Sequence, residues 1–136
     1  MAILTAVRDI LADDDAIGES VAERIFFIEA PQKVALPAIV LHLISESDGR
    51  HLGGSNRYPV ARVVVDIVAG NYPDAANLGD DVRFALIDYR GTVGAYGVDD
   101  IGLDDLDFFD RGAVGRQFRR RIGFRIRYRE IELEEP

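Results

Sequence analysis

The chain has 136 residues, a hydrophobic content of 48% and a formal net charge of -8. That length supports one ordinary domain around one core, and the acidic balance argues against general affinity for a nucleic-acid backbone, whose neutralisation needs a basic surface. With no cysteine in the sequence, a disulfide framework and a thiolate metal site are both excluded.

The amino terminus, MAILTAVRDILADDD, has no basic n-region, and Arg8 and Asp9 interrupt its apolar residues. It reads neither as a signal peptide nor as a membrane span. Ile3, Val7, Ile10 and Leu11 recur at helical spacing, which predicts an amphipathic helix from Ala2 to Ala12. The run Asp13, Asp14, Asp15 supplies N-cap residues for a second short helix towards Glu23.

RIFFIE, residues 24 to 29, reads as a short strand, and the two prolines of APQKVALP make the next segment a loop. From Ala38 to Ile44 nearly every residue is apolar, so a central strand covered on both faces is expected. The polar segment SESDGRHLGGSNRYP then reads as a long loop at about 46 to 59. In Val60 to Ala69 the odd positions Ala61, Val63, Val65 and Ile67 are all apolar and predict the core face of a strand. Gly70 and Pro73 end it, and Asp74 is placed to cap a helix over residues 74 to 90 with Ala75, Leu78, Val82, Leu86 and Tyr89 on one face.

Six aspartates lie between Asp99 and Asp110, interleaved with apolar residues, and pattern alone leaves this stretch between an irregular strand and a loop bulged at glycine. The last strand is plainer. From Phe118 to Tyr128 the even positions are mostly apolar, whereas the odd positions Arg119, Arg121, Arg125 and Arg127 form an arginine ladder that Arg129 extends. An acidic tail follows at about 130 to 136. The pattern gives a single α+β domain over residues 1–136: a mainly antiparallel β-sheet with two helices packed on one face.

No chemistry is marked. His42 lies in an apolar strand and His51 in a loop, without further ligands at metal-site spacing. Asp99/Asp100 and Asp104/Asp105 are adjacent, so on an extended chain each pair splits between two faces, and the spacing fails the calcium-loop pattern. GRHLGGSNR has glycines but lacks the GxxxxGK[ST] phosphate motif, and no serine sits in a GxSxG elbow. The residues therefore predict no catalytic, cofactor or metal site and no enzyme. The ladder could hold a nucleic-acid backbone, or it could pair with the aspartates before it, within one chain or across a subunit boundary.

The order of these elements carries a family likeness. An amino-terminal helix, the strand PAIVL at 37 to 41, the stretch SDGRHLGGSNRYPVARVVVD at 47 to 66, an alanine-bearing helix and the closing strand FRRRIGFRIRY resemble the small tail-completion, or tail-terminator, proteins of long-tailed bacteriophages and gene transfer agents. The resemblance implies a non-enzymatic virion protein, without cofactor, that forms a homo-hexameric ring on the head-proximal end of the tail tube. Its partners would be copies of itself, the tail tube protein and head–tail connector or neck proteins, with DNA only in transit and no membrane. Assembly would take place in the host cytoplasm. Placement nominates Asp48, Arg50, His51, Asn56 and Arg57 as loop contacts, and Arg119, Arg121, Arg125, Arg127 and Arg129 as subunit or channel contacts. The alternatives are a neck adaptor and, further off, a nucleic-acid-binding module built on the arginine strand.

Overall fold

A computed structural model describes residues 2–47, 59–111 and 117–131. Helix α1 spans Ala2–Ala12, as its periodicity predicts, and buries Ile3, Leu4, Val7, Ile10 and Leu11. Burying each such side chain contributes roughly 1.5–3 kcal/mol. Helix α2, Asp15–Val21, starts from Asp14, whose side chain accepts the Ile17 N–H at 3.1 Å. This satisfies one orphan donor of the first turn and fixes which aspartate of the run is the cap.

The strands are β1 (Ile25–Phe27), β2 (Ala38–Ser47), β3 (Val60–Ala69), β4 (Gly91–Val93), β5 (Tyr96–Arg111) and β6 (Phe118–Glu130), with helix α3 (Tyr72–Leu86) between β3 and β4. They form one six-stranded sheet in the order β1-β2-β3-β6-β5-β4. The β1–β2 pair is parallel, and every other pair is antiparallel. All three helices lie on one face, and α1 touches both β1 and β4, so the sheet curls around it.

That face is the core. Ile39 and Leu41 of β2, Ala61, Val63, Val65 and Ile67 of β3, and Ile122, Phe124 and Ile126 of β6 are all buried there beneath the helices. The odd-face reading of β3 and the even-face reading of β6 follow the alternation of a pleated strand. The expected double coverage of β2 holds from Ala38 to Leu41 but not at Ile44, which is 60% exposed. Between Leu43 and Ser45 the register with β3 shifts, so Ile44 is the extra residue of a bulge and has no opposite number in β3.

Two further boundaries differ from the sequence expectation. The N-cap of α3 is Asn71: its side-chain oxygen accepts the Asp74 N–H at 2.9 Å, and its amide donates to the Asp74 carboxylate at 3.0 Å. Asp74 is thus the reciprocal partner three residues on, and Pro73 fits inside the first turn where no N–H is needed. The helix ends at Leu86, so Gly91 opens β4 instead of closing the helix. Val93 pairs with Tyr96 across a tight turn in which Gly94 takes φ +57, a left-handed value that favours glycine.

The aspartate-rich stretch is a true strand, β5, broken by bulges. Leu103 pairs with Phe124 and Asp107 with Ile122, so Asp104, Asp105 and Leu106 together stand opposite Gly123. Asp105 adopts φ +54, a conformation aspartate tolerates better than most residues. Leu106 fills the gap in the arginine ladder: a Cβ added at Gly123 would lie 3.0 Å from its Cβ. The bulge is therefore seated by Gly123 on the opposite strand and not, as expected, by a glycine within its own.

Candidate assembly surface

Residues directly opposite in neighbouring strands point to the same face, so the register of β3, β5 and β6 assembles a charged surface on the side away from the helices. Arg119 grips Asp110 with two hydrogen bonds, Nε to Oδ1 at 2.8 Å and Nη2 to Oδ2 at 2.7 Å. This fork-on-carboxylate geometry holds the Asp110 carboxyl below the usual range and raises the Arg119 guanidinium. Arg62 of β3 lies 3.5 Å from Asp104 of the bulge.

Asp66 is the most buried acid of this face, at 4% exposure. Its two oxygens accept from Arg121 Nε at 2.7 Å and stand 2.9 Å from His42 Nε2. His42 therefore belongs to a β2–β3–β6 polar triad that crosses the open face, which accounts for a histidine inside an apolar strand. No group of three or more His, Cys, Asp or Glu among the described residues is arranged to hold a metal ion.

The nominated arginines divide into two sets. Arg119 and Arg121 are committed to Asp110 and Asp66 of their own chain. Arg125, Arg127 and Arg129 are exposed, and among the described residues none has a carboxylate within ion-pair distance. Gly102 and Asp100 stand opposite Arg125 and Arg127 in β5. The loop residues Asp48, Arg50, His51, Asn56 and Arg57 lie outside the described residues.

One residue that the sequence concealed organises the other side. Arg120 sits at an even position among the core residues and is only 5% exposed. Its Nε and Nη2 donate to Asp107 at 2.8 Å each, and its Nη1 donates to the Ala76 carbonyl at 2.8 Å and to Asp80 at 2.9 Å. Its guanidinium carbon lies 5.1 Å from the centre of the Phe109 ring, which in turn meets Tyr72 at 4.8 Å. The hydrogen bond from Arg120 lowers the Asp107 carboxyl from its ordinary value, and the same pairing raises Arg120. Gly79 makes room for this arm, because a Cβ there would lie 2.5 Å from Arg120 Cδ. A glycine in mid-helix and an arginine on an apolar face were the available signals, but only the tertiary contact joins them.

The tail completion protein gp17 family model matches residues 5–129. Among solved structures, a chain of the "Virion of native gene transfer agent (GTA) particle" has a similar fold, with a TM-score of 0.76 at 17% identity over 92% of each chain. No curated protein matches the sequence significantly. The resemblance read from element order and the family match agree over nearly the whole chain. The chain belongs to the tail completion protein gp17 family and is a structural protein of the bacteriophage tail.

Proposed function

We propose that the protein forms a homo-hexameric ring on the head-proximal end of the tail tube, where it ends tube polymerisation and joins the tail to connector or neck proteins. The family match over residues 5–129 carries this reading, and the fold shared with a chain of a gene transfer agent virion supports it. The surface chemistry fits. Arg125, Arg127 and Arg129 are solvated cations without a carboxylate partner among the described residues, while β5 presents exposed carboxylates. Opposite charges on separate surfaces suit contacts between different patches of neighbouring copies, which close into rings. The net charge of -8 suits a passage that DNA crosses without being retained.

Mass measurement and negative-stain imaging of the full chain, with and without purified tail tubes, test the proposal. The expected result is six-fold rings in solution or on tube ends, and tubes that stop elongating once capped. A protein that stays monomeric and never caps a tube overturns it. Binding to the connector instead of the tube assigns it to the neck.

A further inference from the structure

Among the described residues the sheet leaves two strand edges open, one on each side, and their chemistry decides what can cover them. Strand β4 pairs with β5 only over Tyr96–Val98, and the Asp88 N–H then bonds the Ile101 carbonyl. Past that point the direction of the backbone groups follows from two bonds of β6. Tyr128 donates its N–H to Pro59 on the β3 side, and Ile131 donates to Ala95 on the β5 side. Backbone groups of successive strand residues alternate between flanking strands, so even-numbered β6 residues bond towards β3 and odd ones towards β5. Asp107 and Phe109 are registered with Ile122 and Arg120 and therefore turn their N–H and C=O groups outwards. Among the described residues nothing covers that edge.

Strand β2 has the matching property on the far side. Strand β1 pairs with it only as far as Leu41, whose carbonyl takes the last bond from the Ile28 N–H. Leu43, two residues on, presents its backbone groups in the same direction with no strand beside it among the described residues. Buried or partly buried backbone groups demand partners, and an open edge is a template for another strand.

Exposed apolar side chains stand beside both edges. Ile44 is 60% exposed at the β2 bulge, and Phe84 is 89% exposed on α3. Helix α3 flanks the β5 edge, since Arg83 bonds Asp107 at 3.1 Å and Asp88 bonds Ile101. There Phe84 lines a groove of about 480 Å³ with Asp80, Arg83, Ile87 and Asp88.

Charge selects the occupant. Asp107, Asp110 and Asp80 are paired with arginines of their own chain, but two β5 edges brought together would set the exposed Asp105 and Asp88 of one copy, which have no ion pair among the described residues, near the same acids of the other. The β2 edge carries no carboxylate from His42 to Ser45. We propose that the outer edge of β5 receives residues 42–45 of the next copy, extending the sheet from protomer to protomer, with Phe84 covering the neighbour's Ile44. Such head-to-tail strand addition uses a different edge on each side, as a closed ring requires. The inference rests on the ring reading and names the surface that would build it.

Four full-length forms test it: wild type, Phe84→Glu, Ile44→Glu, and the pair Phe84→Glu with Ile44→Lys. Both side chains are exposed, so the monomer should keep its circular dichroism and melting temperature. Each single variant is expected to raise the concentration for half-assembly by about tenfold or more, which is roughly 1.4 kcal/mol, and the opposite-charge pair to recover most of that loss. In wild type the amides of Asp107 and Phe109 should exchange more slowly once assembled. Single variants that assemble like wild type, or amides that exchange equally in both states, overturn the edge pairing while leaving the ring intact. A wild type that neither assembles nor caps tubes overturns the ring itself, and with it this inference.

Discussion

Asp107 accepts both donors of the Arg120 fork at 2.8 Å and also takes a hydrogen bond from Arg83 at 3.1 Å, so one carboxylate on β5 ties together α3 and β6. The fork matters more than the charge, because a lysine cannot reach Asp107, Asp80 and the Ala76 carbonyl from one planar group. Removing the guanidinium leaves Asp107 with only the exposed Arg83. Arg120→Met should therefore cost about 2–3 kcal/mol, less than a fully buried pair because Asp80 is largely exposed. Arg120→Lys should recover less than half of it. Urea unfolding of the two variants measures both, and equal stability of Arg120→Met and wild type would refute the role.

Gly79→Ala tests the same contact from the helix side. In an exposed helix the change would stabilise by about 0.8–1 kcal/mol. Here the new methyl would meet three atoms of Arg120 within 2.9 Å, and that side chain is held at four acceptors. Loss of even one charged hydrogen bond, about 1.5–3 kcal/mol, outweighs the gain. Thermal unfolding should show net destabilisation by about 1–2 kcal/mol, and the effect should vanish in an Arg120→Met background.

Acid should weaken the arginine–aspartate pairs on both faces of the sheet. The folded pKa values of Asp107 and Asp110 lie below the ordinary aspartate value, through the hydrogen bonds from Arg120 and Arg119 respectively. Each therefore adds stability that is present above about pH 4, the unfolded aspartate range, and is lost as pH falls through the lower folded value. A stability profile from pH 5 to pH 2 should be shallower for Asp110→Asn and for Arg120→Met than for wild type. Parallel profiles would contradict the pairing.

Asp81 behaves in the opposite sense. Burial raises its pKa first, and the neighbouring Asp14 and Asp80 raise it further. A carboxylate whose folded pKa is raised binds its proton more readily in the folded state, so it destabilises that state once ionised. Asp81→Asn should raise the melting temperature at pH 7, with the advantage shrinking as pH falls through the raised folded value and gone below the ordinary aspartate value. An unchanged or lowered melting temperature at pH 7 would count against the repulsion.

Arg125 and Arg127 separate folding from assembly. Their side chains are exposed and have no carboxylate partner among the described residues, so the double alanine variant should unfold within about 0.5 kcal/mol of wild type. If these arginines face a neighbouring subunit or the passage, the same variant should cap tail tubes poorly. Electron microscopy of tubes mixed with each protein gives the answer. Salt-sensitive binding of free DNA that disappears in the variant would instead favour the nucleic-acid module.

Much of this fold could be read from side-chain period alone. Ile3, Val7, Ile10 and Leu11 mark α1 because a short solvated helix needs one apolar stripe, and the alternation in 118–128 marks β6 because a pleat separates odd from even. Contacts between distant residues were hidden. Nothing local tells that Arg120 reaches Gly79 and Asp80, or that Gly123 gives way to Leu106, because each depends on two segments meeting in space. The cap of α3 was misplaced by three residues since Asn71 and Asp74 both suit that role, and only the hydrogen bonds rank them. For the surface, the odd-numbered arginines of β6 were legible as a ladder. Which of them lack a carboxylate partner among the described residues depended on the register of β5 against β6, set by bulges that no sequence period reveals.

That pairing of β3 with β6, unbroken from Val60↔Arg127 to Ala69↔Phe118, also acts as a proofreading device. Sliding β6 by a single residue would drive Arg125 and Arg127 beneath the helices and push Phe124 and Ile126 into water. Misaligned chains could thus neither settle nor display the correct outer charges. The arrangement that makes the interior dry therefore also sets which charges the exterior displays.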